Sequence, residues 1–177
     1  MNKWKILNKT LAYKSKIFAN FHIKVRTEQK SIEWDMDYIA MSNWINIVAC
    51  TKEGQILLVK QYRVGIDDLT LEIPGGAVDP GEDALEASKR ELREETGYTS
   101  SNWSKLGQVH PNPAFMGNWC ATYLALDCEK THDQNLDELE EIEVVLKSEN
   151  EIFEMIKQGQ ISHSLVIAAF QLYQNKD

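Results

Sequence analysis

The chain predicts an α+β fold, in which a sheet carries at least one packed helix and follows a small sheet of its own. Three observations carry this. Residues 3 to 40 alternate apolar and polar types around polar, turn-like stretches, the period-two signature of half-buried strands. Short apolar runs recur from Trp44 onward. Helical periodicity is confined to 83 to 96, to about 148 to 158, and to the segment after His163. Strands and helices mixed in this order fit an α+β sandwich.

The first 40 residues should form two or three strands, with Thr27 to Lys30 as one of the turns. Trp44 to Cys50 and Gln55 to Gln61 read as a hairpin closed at Glu53-Gly54. Leu69 to Ile73 is a further short strand, and Val109 and Thr122 to Leu126 belong to others. Pro80-Gly81 turns the chain into a helix. Asp83 stands near its start, where an acid suits the dipole, and Gly97 is placed to stop it. Leu85 and Leu92 form an inward stripe, while Ala84, Ala87 and Ser88 lie toward the acidic side, where small side chains leave room for ions or a ligand. Repeats and low-complexity linkers are absent. The expected division is residues 1 to 42 as N-terminal strands and 43 to 177 as the main domain.

A net charge of −8 argues against a large nucleic-acid footprint, which needs clustered Lys and Arg. Cys50, Cys120 and Cys128 are odd in number and lack metal-type spacing, so buried reduced thiols are expected. That suits the cytoplasm. The N-terminal residues lack an apolar core of signal-peptide length, and no stretch approaches the roughly 20 apolar residues of a membrane span. The expectation is a cytoplasmic protein with neither a membrane nor a nucleic acid as partner.

The chemistry is concentrated on the first helix. Glu82 lies on the approach, and Glu91, Glu94 and Glu95 follow. At about 100° per residue, Glu91 and Glu95 fall one above the other with Glu94 to the side. Like charges at i,i+4 destabilise a helix by a few tenths of a kcal/mol, and the dipole disfavours acids in the last turns. Either the face is simply solvated, or something positive sits there. Hard divalent cations such as magnesium are held by carboxylates and share their shell with substrate phosphates. Arg90, four before Glu94, could brace it.

From Gly76 the order is glycine, five residues, Glu82, seven residues, Arg90-Glu91-Leu92, one residue, Glu94-Glu95, one residue, Gly97 and the apolar Tyr98. This resembles the signature of the Nudix hydrolase family at every fixed position. The resemblance implies an α/β/α sandwich with a mixed central sheet, plus the N-terminal antiparallel sheet. It also implies a pyrophosphatase that uses magnesium, with manganese as the substitute ion. By the family pattern Glu91, Glu94, Glu95 and the carbonyl of Gly75 hold metal, Glu82 supports the site and Arg90 orients the glutamates.

Outside the signature, Gln61-Tyr62-Arg63 followed by Leu71-Glu72-Ile73-Pro74-Gly75-Gly76 looks like the branch containing ADP-ribose pyrophosphatases and nucleotide-sugar hydrolases. In that branch the N-terminal strands exchange with a second subunit, which implies a homodimer. Arg63 offers a planar fork suited to a phosphate, or a salt bridge to Glu72 or Asp67. Glu72 is carried along as a substrate-side residue. Two prolines and a glycine shape the loop from His110 to Trp119, in which Asn112 and Asn118 could bond a sugar or base edge and Phe115 could wall it. Trp44, Tyr38 and Phe21 are candidates for stacking on a base, Trp44 first. In Leu136 to Val144 the resemblance places a catalytic glutamate, for which Glu138, Glu140 and Glu141 are candidates, taken as Glu140 with Glu141 in reserve. His110 and His163 are read as structural.

The activity so implied is magnesium-dependent hydrolysis of ADP-ribose, GDP-mannose or a similar nucleotide sugar to a nucleoside monophosphate and a sugar phosphate. The alternatives are a triphosphate or capped-RNA pyrophosphohydrolase, or a non-catalytic diphosphate sensor.

Overall fold

The computed structural model describes residues 2–29 and 31–176. Lys30, at the end of the expected Thr27 to Lys30 turn, lies outside the described residues. The chain divides into two compact units, residues 1–43 with 110–119, and residues 44–109 with 120–177.

The first unit is an antiparallel sheet of β1 (Lys5–Lys14), β2 (Phe18–Arg26) and β3 (Glu33–Met41) in that order. Ser15 closes the first turn, its hydroxyl oxygen accepting from the N–H groups of Ile17 and Phe18 at 3.2 and 3.0 Å. Register and the two-residue period separate the faces. One carries cross-strand ion pairs, His22 with Asp37, Lys24 with Asp35 and Arg26 with Glu33. The other carries Ile6, Leu11, Phe21, Ile23, Val25, Trp34, Met36 and Tyr38. Within this unit the apolar face is incompletely covered, for Ile6 and Leu11 are 59% and 52% exposed. Trp4 stacks on Trp34 at 5.9 Å, and the Lys9 ammonium lies over the rings of Phe21 and Tyr38. The 110–119 segment joins this sheet through the Phe115 carbonyl, which accepts from Ile39 N–H at 2.8 Å.

The second unit holds β4 (Trp44–Thr51), β5 (Ile56–Arg63), β6 (Asp68–Glu72), β7 (Gly75–Ala77), α1 (Ala84–Thr96), β8 (Tyr98–Thr99), β9 (Asn102–Val109), β10 (Cys120–Lys130), β11 (Glu143–Lys147), α2 (Glu149–Lys157) and α3 (Ser164–Gln174). Its sheet is mixed. The path runs β11-β5-β4-β10-β8, with β6 on β5, β7 on β4 and β9 on β10, and β4 lies parallel to β10. After Trp44, β4 is buried at every position, as a strand covered on both faces must be. Val48, Cys50, Ile56, Leu58 and Leu124 pack with Phe170 and Val166 of α3 and Ile152 of α2. The alternate positions Ile47, Leu57 and Val59 are equally buried, as are Ala87 and Leu92 of α1, which packs on β4, β7 and β10. This is the expected α/β/α sandwich.

Two expectations change. The turn at Thr51 to Gly54 forms, but β4 and β5 pair only at Cys50 and Ile56. Beyond that point β4 takes β10 and β7 as neighbours, strands distant in sequence, so the hairpin is a corner rather than a ladder. Ala87 and Ser88 leave no room for ions, since both are fully buried and let α1 approach the sheet. Cys50, Cys120 and Cys128 are free and buried, as expected.

Candidate active site

Helix α1 is fixed at both ends. The Asp83 carboxylate accepts from the N–H groups of Leu85 and Glu86 at 2.9 and 3.3 Å. Gly97 ends the helix with φ of 76°, its N–H bonded to the Arg93 carbonyl at 2.8 Å. A β-carbon there would also stand 2.2 Å from the His132 carbonyl oxygen, so the position needs glycine twice over.

The acids do not share one environment. Arg90 donates to both Glu82 oxygens at 2.9 and 3.1 Å, to Glu91 at 2.8 Å, to Glu94 at 3.1 Å and to the Ala77 carbonyl at 3.2 Å. Glu82 also accepts from Asp79 N–H at 3.0 Å. Its carboxyl lies below the ordinary range, chiefly because of Arg90. The Arg90 guanidinium is held still more firmly charged, chiefly by Glu82. The positive partner that mutual repulsion demands is therefore, for three of the four acids, Arg90 of α1.

Glu95 is different. It is 4% exposed, and its Oε2 accepts from Gly75 N–H at 3.0 Å. Burial pushes its carboxyl up to about 8, the charges of Glu91 and Glu140 adding to the rise while the Gly75 N–H and Arg63 oppose it. Burial likewise raises Glu91, against the pull of Arg90. The β7 backbone presses on Glu91, since a β-carbon at Gly76 would fall 2.2 Å from its Oε1.

Arg63 makes the salt bridge to Glu72, its Nε and Nη2 donating to the two carboxylate oxygens at 2.8 Å each. Asp67 instead accepts from the Tyr62 hydroxyl at 2.7 Å. Glu72 is buried, and the Thr70 hydroxyl donates to its Oε1 at 2.6 Å. Burial would raise the Glu72 carboxyl, but Arg63 and Thr70 hold it below the ordinary value. Arg63 also feels the charges of Glu95 and Glu140, so it lies beside the acidic cluster. Glu140 sits in the exposed loop before β11, its carboxylate accepting from Asp137 N–H at 3.1 Å, and Glu141 follows it there, exposed. Thr70 was legible only in part, for a Thr-x-Glu run on a strand puts both side chains on one face.

The remaining candidates divide between the units. Trp44 opens β4 opposite Ala77. Asn112, Phe115 and Asn118 belong to the first unit. There the Asn112 carbonyl accepts from Met116 N–H at 2.9 Å, Phe115 is exposed, and Asn118 is buried with its Oδ1 unpartnered among the described residues. Lys9 occupies a face of both Phe21 and Tyr38. His110 shares a 3.1 Å hydrogen bond with the Asn118 carbonyl, and His163 caps α3, its Nδ1 accepting from Leu165 N–H at 3.2 Å.

Among the described residues no three His, Cys, Asp or Glu side chains are grouped so as to hold a metal ion. The donor chemistry nevertheless fits a hard divalent cation. Glu91 and Glu95 offer carboxylate oxygens in a poorly hydrated place where ionisation is unfavourable without added positive charge, and an ion inverts that balance.

Residues 44–170 match the NUDIX domain. An ADP-ribose pyrophosphatase of Bacillus subtilis (strain 168) is 29% identical over 134 residues, covering 75% of this chain and 72% of that protein. The methanol dehydrogenase activator of Bacillus methanolicus is 31% identical over 131 residues, 73% of this chain and 71% of its own. A Saccharomyces cerevisiae ADP-ribose pyrophosphatase is 36% identical over 96 residues, 53% and 42% of the two chains. The crystal structure of an ADP compounds hydrolase superposes with a TM-score of 0.88 at 20% identity over 98% of this chain and 94% of the other, a likeness of fold. Among the described residues no helix is long and apolar enough to cross a membrane.

Proposed function

The chain belongs to the NUDIX family of hydrolases, and from that we propose that it uses a divalent cation to split the pyrophosphate bond of nucleotide sugars, ADP-ribose foremost, into a nucleoside monophosphate and a sugar phosphate. The observation that carries this reading is the Glu95 carboxylate, buried against Gly75 N–H beside Glu91 and under the field of Glu140. A buried carboxyl raised to about 8 is a poor structural choice and a good cation ligand. The names of the Bacillus and Saccharomyces pyrophosphatases support the substrate class.

In this reading Glu91, Glu94, Glu95 and the Gly75 carbonyl hold magnesium, or manganese in its place. When bound there, the cation supplies neutralisation of the diphosphate and a more acidic water. Arg90 keeps Glu91 and Glu94 in register with the site, bracing them against Glu82. Arg63, whose fork to Glu72 uses one edge of the guanidinium, offers the other edge to the far phosphate. Glu140, on the exposed loop before β11, takes the proton of the attacking water, with Glu141 next to it as the substitute. Trp44, at the start of β4 in the same unit as the acids, is assigned to the base.

The incompletely covered apolar face of the N-terminal sheet supports a homodimer that buries it, with residues 1 to 42 exchanged and 43 to 177 as the hydrolase domain. Three free buried thiols support a reducing, cytoplasmic setting.

Incubation with magnesium and a panel of ADP-ribose, GDP-mannose, nucleoside triphosphates and capped RNA, with products separated by chromatography, tests the reading. Nucleoside monophosphate and sugar phosphate are the expected products. Pyrophosphate released from triphosphates, with nucleotide sugars untouched, refutes it.

A further inference from the structure

We propose that Thr70 is a positioning residue for substrate binding, holding Glu72 so that Arg63 keeps its free edge toward the diphosphate. The inference rests on the assignment of Arg63 to the far phosphate. On β5 and β6 the register pairs Gln61 with Thr70 and Arg63 with Asp68, so Arg63, Asp68, Thr70 and Glu72 share one face of the ladder. Two carboxylates on that face can therefore compete for one guanidinium.

Asp68 lies directly across from Arg63, and Glu72 lies four residues further along β6. Arg63 nevertheless passes over its nearest neighbour and forks onto Glu72. Asp68 is exposed and accepts from Leu69 N–H at 2.7 Å. The Thr70 hydroxyl, between the two acids and 9% exposed, explains the choice. Its single proton goes to Glu72 Oε1 at 2.6 Å rather than to the Gln61 carbonyl at 3.3 Å. The bond fixes the carboxylate plane, so that one oxygen receives Thr70 and Arg63 Nε while the other receives Arg63 Nη2. Among the described residues Glu72 is the only hydrogen-bond partner of the Arg63 side chain, and the acids felt next most strongly are Glu95 and Glu140. The guanidinium is thus clamped along one edge, and the field of the acidic cluster reaches it. Without the hydroxyl, Glu72 can turn and Arg63 can relax toward Asp68, away from a bound diphosphate.

The test compares Thr70→Val, which keeps the shape, with Thr70→Ser, which restores the hydroxyl, and with Arg63→Lys, which removes the fork. ADP-ribose is the substrate and magnesium is saturating. A hydrogen bond to a charged group corresponds to roughly a tenfold or larger change in an equilibrium constant. Thr70→Val is therefore expected to raise KM about tenfold while kcat moves less than about threefold. Thr70→Ser should return KM to the wild-type value, and Thr70→Val should still unfold cooperatively, a few degrees below wild type. Equal KM in Thr70→Val and wild type, with KM raised in Arg63→Lys, overturns the positioning role alone. A KM raised equally by Val and Ser also overturns it, because the cause is then packing. Unchanged KM in Arg63→Lys overturns the phosphate assignment beneath it.

Discussion

Replacing Glu95 by Gln should stabilise the metal-free protein at neutral and alkaline pH. The folded carboxyl titrates near 8, against an ordinary 4.5. A raised acid favours folding while it keeps its proton, so its contribution is complete below about pH 4.5 and disappears as pH rises through about 8. Each tenfold change in an ionisation constant corresponds to about 1.4 kcal/mol, so at pH 7 holding the proton against an ionised unfolded chain costs the native state on the order of 3 kcal/mol. Gln still accepts from Gly75 N–H and carries no charge, but its buried amide N–H groups cost on the order of 1 kcal/mol. The net gain is about 2 kcal/mol, or roughly 4 to 8 °C for a chain of this size. The assay is thermal unfolding from pH 5 to 9, in chelator and in excess magnesium. In chelator the variant should melt above wild type at pH 8, the two curves converging toward pH 5. In magnesium at pH 7 the order should reverse, because wild type gains about 2.7 kcal/mol from a ligand held a hundredfold above its dissociation constant, more than the variant's advantage of about 2 kcal/mol. A variant that melts no higher than wild type at pH 8 in chelator refutes the argument from burial.

Arg90→Met should leave Glu82, Glu91 and Glu94 without their shared cation, lowering stability by about 1–3 kcal/mol and turnover by at least tenfold. Chemical unfolding and product chromatography read the two effects separately. Gly97→Ala meets both a positive φ and the His132 carbonyl, and should cost about 2–4 kcal/mol by the same unfolding assay. Replacing Ile6 and Leu11 together by Ser should shift the mass seen by light scattering from dimer toward monomer, with unchanged far-ultraviolet dichroism. A wild-type chain that is already monomeric would discard the exchanged sheet.

What the sequence disclosed follows the range of the forces involved. The ends of α1 depend on Asp83 and on Gly97, local signals with local causes, and fall within a residue of where those signals put them. The three N-terminal strands are readable because each alternates over its whole length. The pairing of β4 is not, because its main partner β10 lies 76 residues further on, and period-two patterning says nothing about which strand comes alongside. Helix rotation puts Ala87 and Ser88 near the acids, which suggests open space around them, yet Glu95 itself faces the sheet. The Arg90 to Glu94 brace is visible at its four-residue spacing. The stronger bond to Glu82 is not, since it depends on how the loop before the helix folds back.

Because a resident guanidinium already screens three carboxylates, folding is not chained to a supply of cations. Stripping the ions should silence the enzyme while leaving its architecture intact, and resupply should return turnover at the speed of diffusion rather than of refolding. Without divalent cations the chain would stand folded, less stable by the ligand's contribution alone, and ready to take them up again.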